Sequence, residues 1–372
     1  MTMAATTAPH QLHRPVRHLP TPAIRAVAAG TSTVTERDPF QRDPAMVARV
    51  FPLIELVNLY FGTEVRGWSH LPARGPFLIV GNHSGGAQTQ DLLFLLGKWI
   101  QERGAAAPLY ALGYDLLFSY PIVGPLLPKL GLIPANRANA RRALRMGAPV
   151  VVFPGGDYEV FRPWSERNCI AFGGHTGFIE LAITARVPVV PMTIHGAHQS
   201  TLTLTRGWQL ARMMGIDRLH IGVFPLIWNI PFGPTPAFIP SLQLPAKVTL
   251  QIGAPLDWSC YSARQAHDPA VLRRCYTQIT QRMQRTLDEL AHERPYPVLS
   301  RLTDLRPSRM LGALPFDGAG GRTSSQLPSK QAGRHPNVFL LGKKKATVLR
   351  GGRRATAGPR RDRTQRGAHA TT

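Results

Sequence analysis

At 372 residues the chain is long enough to bury a large core, and its 44% hydrophobic content is that of a globular protein, which excludes a wholly disordered chain. Its formal charge of +23 is uneven: residues 301–372 hold 16 Lys and Arg against 3 Asp, or +13 of the total, leaving +10 on residues 1–300. That balance suits an anionic partner, whether a membrane surface, a nucleic acid or a phosphorylated substrate. Three cysteines, Cys169, Cys260 and Cys275, have no metal-ligand spacing, which excludes a disulfide framework and fits a reducing compartment.

Residues 1–43 lack the continuous apolar core of a secretory signal and are expected to be disordered. Asp43 followed by Pro44 then marks a helix start, and Val47, Val50, Phe51, Ile54, Val57 and Phe61 recur at helical spacing. Short apolar runs follow at 76–82, 107–113, 148–156, 187–196, 219–225 and 246–253, with helical patterns such as "DLLFLLGKWIQERG" and "ANARRALRMG" between them. Buried, non-alternating strands interleaved with helices predict an α/β fold, a single mostly parallel sheet flanked by helices over residues 44–298. The stretch 221–245 is the most apolar, but six prolines rule out a regular helix, and no run reaches the roughly 18 apolar residues of a membrane-spanning helix. It reads as a strand plus an irregular apolar loop, either lipid-facing or folded under the core. A closing helix starts at Asp268-Pro269, with Leu272, Tyr276, Ile279, Met283, Leu287 and Leu290 on one face. From 299 to 372 the composition turns to Gly, Ser, Arg and Thr, and a basic disordered tail is expected.

Two polar turns interrupt this apolar pattern. "LIVGNHSGG" ends a strand at Gly81 and delivers Asn82, His83, Ser84, Gly85 and Gly86 to the carboxyl edge of the sheet, where open α/β sheets place their ligands. A histidine there can act as a general base if a carboxylate orients it, and Asp91 is the nearest acid. The alternative for His83 is an ordinary helix-capping turn. The second turn, "VVVFPGGDYEVFR", carries Pro154, Gly155, Gly156, Asp157, Glu159 and Arg162. The glycine pairs allow backbone amides to approach a substrate oxygen closely. Between the two turns, Arg137 sits just past a predicted strand end, and arginine is suited to bidentate phosphate recognition. Arg141, Arg142 and Arg145 read as a solvated helix face. His195 and His198 could line the site or serve as structural residues, while Trp164, Trp228 and Cys275 read as packing residues.

In collinear order, "VRGWSHLPARGPFLIVGNHSGG", "GLIPANRANA", "FPGGDYEVFR" and "VPVVPMTIHG", spanning residues 65–196, resemble the four sequence blocks of the glycerolipid acyltransferase superfamily. The resemblance implies transfer of a fatty acyl group from acyl-CoA or acyl carrier protein to a glycerolipid hydroxyl, without a covalent intermediate and without a cofactor beyond the co-substrate. It implies a catalytic His83–Asp91 pair, with Asn82, Ser84, Gly85, Gly86, Arg137, Pro154, Gly155, Gly156 and Glu159 toward the substrates. The absence of a G-x-S-x-G elbow agrees. Two features depart from the family pattern: the acid stands eight residues after the histidine instead of five, and the third block reads Phe153-Pro154-Gly155-Gly156 where the family has F-P-E-G. The Pro-Gly-Gly form is similar to the branch that acylates mono- and diacylglycerols. The expected acceptor is therefore a lysophospholipid such as lysophosphatidic acid, or alternatively an acylglycerol. The expected location is peripheral, on the cytoplasmic face of an anionic membrane. Two rival readings stand beside this one: a catalytically silent lipid-binding relative, and a nucleic-acid binder driven by the Arg-rich tail. The folded part offers the latter no aromatic platform, zinc spacing or recognition helix, so no specific nucleic acid is expected.

Overall fold

A computed structural model of the protein describes residues 38–84, 90–214, 224–229, 232–237 and 243–305. The termini expected to be disordered are thus largely outside the described residues, as are Gly85 and Gly86 and most of the apolar run at 219–225. Helix α1 (Pro44–Phe61) leads into β1 (Glu64–Arg66) and β2 (Leu78–Gly81), followed by α2 (Asp91–Arg103), β3 (Tyr110–Gly113), β4 (Leu132–Pro134) and α3 (Arg137–Arg145). Then come β5 (Val150–Val152), the short α4 (Gly156–Val160), α5 (Gly177–Ala185), β6 (Val189–His195) and β7 (Leu202–Thr205). The chain continues through α6 (Trp208–Met213), β8 (Leu226–Asn229), β9 (Gly233–Pro236), β10 (Thr249–Ile252), α7 (Pro269–Glu293) and α8 (Pro297–Asp304).

Seven strands form one sheet in the order β1-β10-β6-β2-β5-β3-β4. The block β6-β2-β5-β3-β4 is parallel throughout, and only the β10–β6 pairing is antiparallel. The reason the core strands read as unbroken apolar runs is that both faces are covered. Leu78 and Val80 of β2 point to one side, into a cluster with Ala140 and Ala143 of α3, Ile179 of α5, and Cys275 and Ile279 of α7. Phe77 and Ile79 point to the other, against Val47 and Ile54 of α1 and Phe94 and Trp99 of α2. The fold is thus the expected α/β arrangement of a mostly parallel sheet between helices.

Both Asp-Pro starts are helix caps: the Asp43 carboxylate accepts from the Ala45 N–H at 2.9 Å and Asp268 from Ala270 at 2.8 Å. On α7 the buried row begins at Val271 and Cys275, with Leu272 and Tyr276 only partly covered. A second sheet, β7-β8-β9, is antiparallel and takes in part of the proline-rich stretch. Trp228 on β8, expected to pack, is about half exposed. Order also runs past residue 298: α8 continues to Asp304 because Arg301, itself buried, donates to the Tyr60 and Leu59 carbonyls at the end of α1. Local composition carries no trace of that contact.

Among the described residues, α1 is the one helix long and apolar enough to cross a membrane, by length and composition. A search for an uninterrupted apolar run passes over it because Arg49, Pro52 and Glu55 break the run. One stripe of α1 faces the core, while Leu53, Leu56 and Leu59 stand exposed on the other.

Candidate active site

Strand β2 is central, with β5 on one side and β6 on the other, so the turns leaving these three parallel strands meet at one edge. Asn82 locks the first turn to β6. Its amide donates to the Ile194 carbonyl at 2.9 Å, and its oxygen accepts from the Ile194 N–H at 2.8 Å. Fully buried, Asn82 holds the frame and is closed off from a substrate.

His83 follows, with its side chain 14% exposed. Its Nδ1 lies 2.9 Å from Asp91 Oδ2, while Asp91 Oδ1 accepts from the Ser84 N–H, also at 2.9 Å. The imidazole is stacked on Phe153, with centroids 4.5 Å apart and planes 17° from parallel. Asp91 is the first residue of α2 and is buried, so the helix start brings its carboxylate back to the histidine despite the eight-residue spacing. An acceptor at Nδ1 selects the tautomer with its proton there, which leaves Nε2 as the basic nitrogen for a substrate.

Glu159 sits beneath this pair. One carboxylate oxygen accepts from the His83 N–H at 2.9 Å, and the other from the Ala171 N–H at 3.0 Å. Burial pushes its carboxyl up from the usual range, and Arg162 pulls it back, with Nη1 3.7 Å from Oε1. Arg162 is as buried as its partner; Nη1 donates to the Glu159 carbonyl and Nη2 to the Arg167 carbonyl. The expectation that Glu159 contacts substrate is therefore corrected: no part of it reaches solvent, and both oxygens are taken.

His198 closes the cluster. Its N–H donates to Ser84 Oγ at 3.2 Å, and its Nε2 meets the Arg162 carbonyl at 3.0 Å. Burial first, and Arg162 second, hold its pKa well below the ordinary histidine value, so the ring is neutral and Nε2 is the donor. His195, at the end of β6, is also buried, and its pKa falls to about 4. In the Pro154-Gly155-Gly156 turn, the Gly156 N–H points back to the Phe153 carbonyl at 3.3 Å, so it is not presented to a substrate oxygen.

Arg137 is elsewhere. It begins α3, beyond the outer strand β4, three strand positions or about 14 Å across the sheet from β2. Its Nη1 is 2.6 Å from Glu180 Oε2, and the side chain is 60% exposed. Sequence reasoning undervalued Phe153, Arg162 and His198; for Phe153 and His198 the available signal was their position just after β5 and β6, whereas Arg162 follows α4. Among the described residues no group of three or more His, Cys, Asp or Glu is placed to hold a metal ion.

Residues 62–195 match the protein-family model described as Acyltransferase. An uncharacterized protein of Mycobacterium leprae is 30% identical over 62% of this chain and 60% of its own, so the chain spans less than two thirds of that relative. The "DGAT1/2-independent enzyme synthesizing storage lipids" of Bos taurus is 30% identical over 54% of each chain. The crystal structure of the 1-acyl-sn-glycerophosphate (LPA) acyltransferase PlsC from Thermotoga maritima aligns at 18% identity over 72% of this chain and 90% of that one, with a TM-score of 0.42, too low to bear on fold or function.

Proposed function

We propose, on the premise that residues 62–195 carry an acyltransferase-family domain, that the protein moves a fatty acyl group from a thioester donor, acyl-CoA or acyl carrier protein, to a glycerolipid hydroxyl. The observation that carries this reading is the His83–Asp91 hydrogen bond at the carboxyl edge of the central strand, inside the matched region. His83 Nε2 takes the proton of the acceptor hydroxyl as that oxygen attacks the thioester carbonyl carbon. The Nδ1–H bond to Asp91 supports the imidazolium so formed. The tetrahedral intermediate collapses by breaking the C–S bond, and the leaving thiolate recovers the proton from His83. The oxyanion needs amide donors nearby. Gly85 and Gly86, the candidates for that task, lie outside the described residues.

For the acceptor, a mono- or diacylglycerol fits better than a lysophospholipid. Arg137, at the start of α3, is ion-paired with Glu180 of α5, and Arg162 is buried against Glu159, so neither is presented beside His83 for a phosphate. The Pro154-Gly155-Gly156 turn and the similarity to an enzyme named for synthesizing storage lipids point the same way.

Such lipids are reached at a membrane, and the reading includes peripheral attachment to an anionic, cytoplasmic membrane face. Its support is an apolar rim: Leu56 and Leu59 on α1, and Leu299 and Leu302 on α8, are exposed on two helices joined by Arg301. Tyr60 donates to the Gln243 carbonyl, and the Gln243 side chain pairs with Gln90, the residue before Asp91, so the rim adjoins the site. The test is acyl transfer from radiolabelled acyl-CoA by purified protein to monoacylglycerol, diacylglycerol and lysophosphatidic acid in mixed micelles. Transfer to the acylglycerols, lost in His83→Ala, is expected. No transfer to any glycerolipid would overturn the reading, and a preference for lysophosphatidic acid would replace the acceptor.

A further inference from the structure

Once Glu159 and Arg162 are excluded from the substrate surface, their purpose is open. A buried ion pair is a poor device for stability, since apolar residues of similar volume often do as well or better. This pair is fully buried, and it is surrounded by main-chain contacts that lead to one place. Glu159 holds the His83 N–H, and Arg162 holds Glu159. The Arg162 carbonyl holds His198, the His198 N–H meets Ser84 Oγ, and the Ser84 N–H returns to Asp91. The circuit closes around the turn that carries the base.

Gly155 completes the arrangement. A Cβ built on it would lie 2.4 Å from Glu159 Cβ, 2.5 Å from Glu159 Oε2 and 2.8 Å from the Ala171 carbonyl oxygen. Its φ of −68° is open to any residue, so the backbone conformation does not demand glycine. The space does: only without a side chain at 155 can the Glu159 carboxylate fold back under the β2 turn. Where the family pattern has an acid at this position, the present chain has a glycine and sends an acid into the same turn from four residues later.

We infer that Gly155, Glu159 and Arg162 form a positioning device for His83: the glycine makes room, the carboxylate fixes the His83 main chain, and the guanidinium fixes the carboxylate. The inference rests on the acyltransferase reading, in which His83 must meet an acceptor hydroxyl at hydrogen-bond distance. Misplacement of a catalytic group by an ångström can cost about a hundredfold in rate. Phe153, stacked on the ring, restrains the side chain, while the device restrains the backbone beneath it.

The experiment compares wild type, Glu159→Gln and Gly155→Ala, each with and without His83→Ala, for kcat, KM and thermal melting. Glutamine can accept only one of the two N–H groups, so Glu159→Gln should lower kcat about ten- to a hundredfold with KM values changed less than about threefold. In the His83→Ala background the same change should leave the residual rate untouched, because the device acts only through that residue. Gly155→Ala keeps both charges and should give the same coupled loss, which covers the case in which Glu159→Gln fails to fold. A substrate-free readout is the downfield proton resonance of His83 Nδ1–H, assigned by its loss in His83→Ala; it should shift or broaden in Glu159→Gln and in Gly155→Ala. The inference is overturned if the folded variants keep kcat within about threefold. It is equally overturned if they lower the residual rate of His83→Ala by the same factor, or leave the resonance in place. A wild type without acyl transfer whose resonance still moves in the variants would defeat the acyltransferase reading and leave the device standing.

Discussion

The turns after β2 and β5 leave adjacent parallel strands at the same edge of the sheet, and both combine glycines with ionisable side chains. They use those side chains in opposite ways. The first keeps His83 partly open, with one ring nitrogen committed to Asp91; the second folds Glu159 and Arg162 completely inside. A polar turn at a strand's carboxyl end therefore marks the neighbourhood of a site without saying which of its residues meets the substrate. What distinguishes them is whether each polar atom already has a buried partner.

The largest expected effect lies on the open side. His83→Ala should reduce acyl transfer about 10²- to 10⁴-fold while circular dichroism stays that of the wild type, and Asp91→Asn should lose less. Wild-type turnover in a folded His83→Ala protein would erase the distinction between the two turns. On the closed side the effect should appear in folding. Arg162→Met leaves Glu159 buried without its cation and should cost about 3–5 kcal/mol in urea denaturation, whereas Glu159→Met combined with Arg162→Met should cost clearly less. A double variant as unstable as Arg162→Met alone would show that the charges are not acting as a pair.

The end of β6 extends the comparison to pH. His195 is buried with a folded pKa of about 4, below the ordinary histidine value of 6.5, so the unfolded chain binds a proton first as pH falls. Stability present above that ordinary value should decline from about pH 6.5 toward pH 4, with a loss of about 2 kcal/mol by pH 5. His198 is depressed in the same sense, and the raised carboxyl of Glu159 opposes both. His195→Leu should flatten the decline in a pH series of thermal melts; an unchanged slope would assign it to other groups.

The smallest effect is expected at Arg137, an exposed side chain whose ion pair is with Glu180 of α5. Arg137→Ala should change stability by less than about 1 kcal/mol. Transfer to an acylglycerol should stay within about threefold. A selective ten- to hundredfold loss with lysophosphatidic acid would instead show a phosphate contact, and would move the acceptor assignment back to the phospholipid.

Periodicity and turn chemistry are local properties, and they determined much of this protein: the Asp43-Pro44 and Asp268-Pro269 helix starts, the doubly buried strands of a parallel sheet, and a turn after β2 that holds His83. The eight-residue interval to Asp91 left its pairing open, and only the start of α2 packing beside β2 brought the carboxylate to 2.9 Å. The fate of Glu159 and Arg137 was beyond local reading, because both are charged residues just past a strand end. Burial depends on which strand stands next in the sheet. β5 adjoins β2, so Glu159 went under the site; β4 is the outer strand, so Arg137 was left to pair with Glu180 of α5. Strand order is set by the packing of helices from distant parts of the chain on both faces, and no window of sequence around either residue contains it.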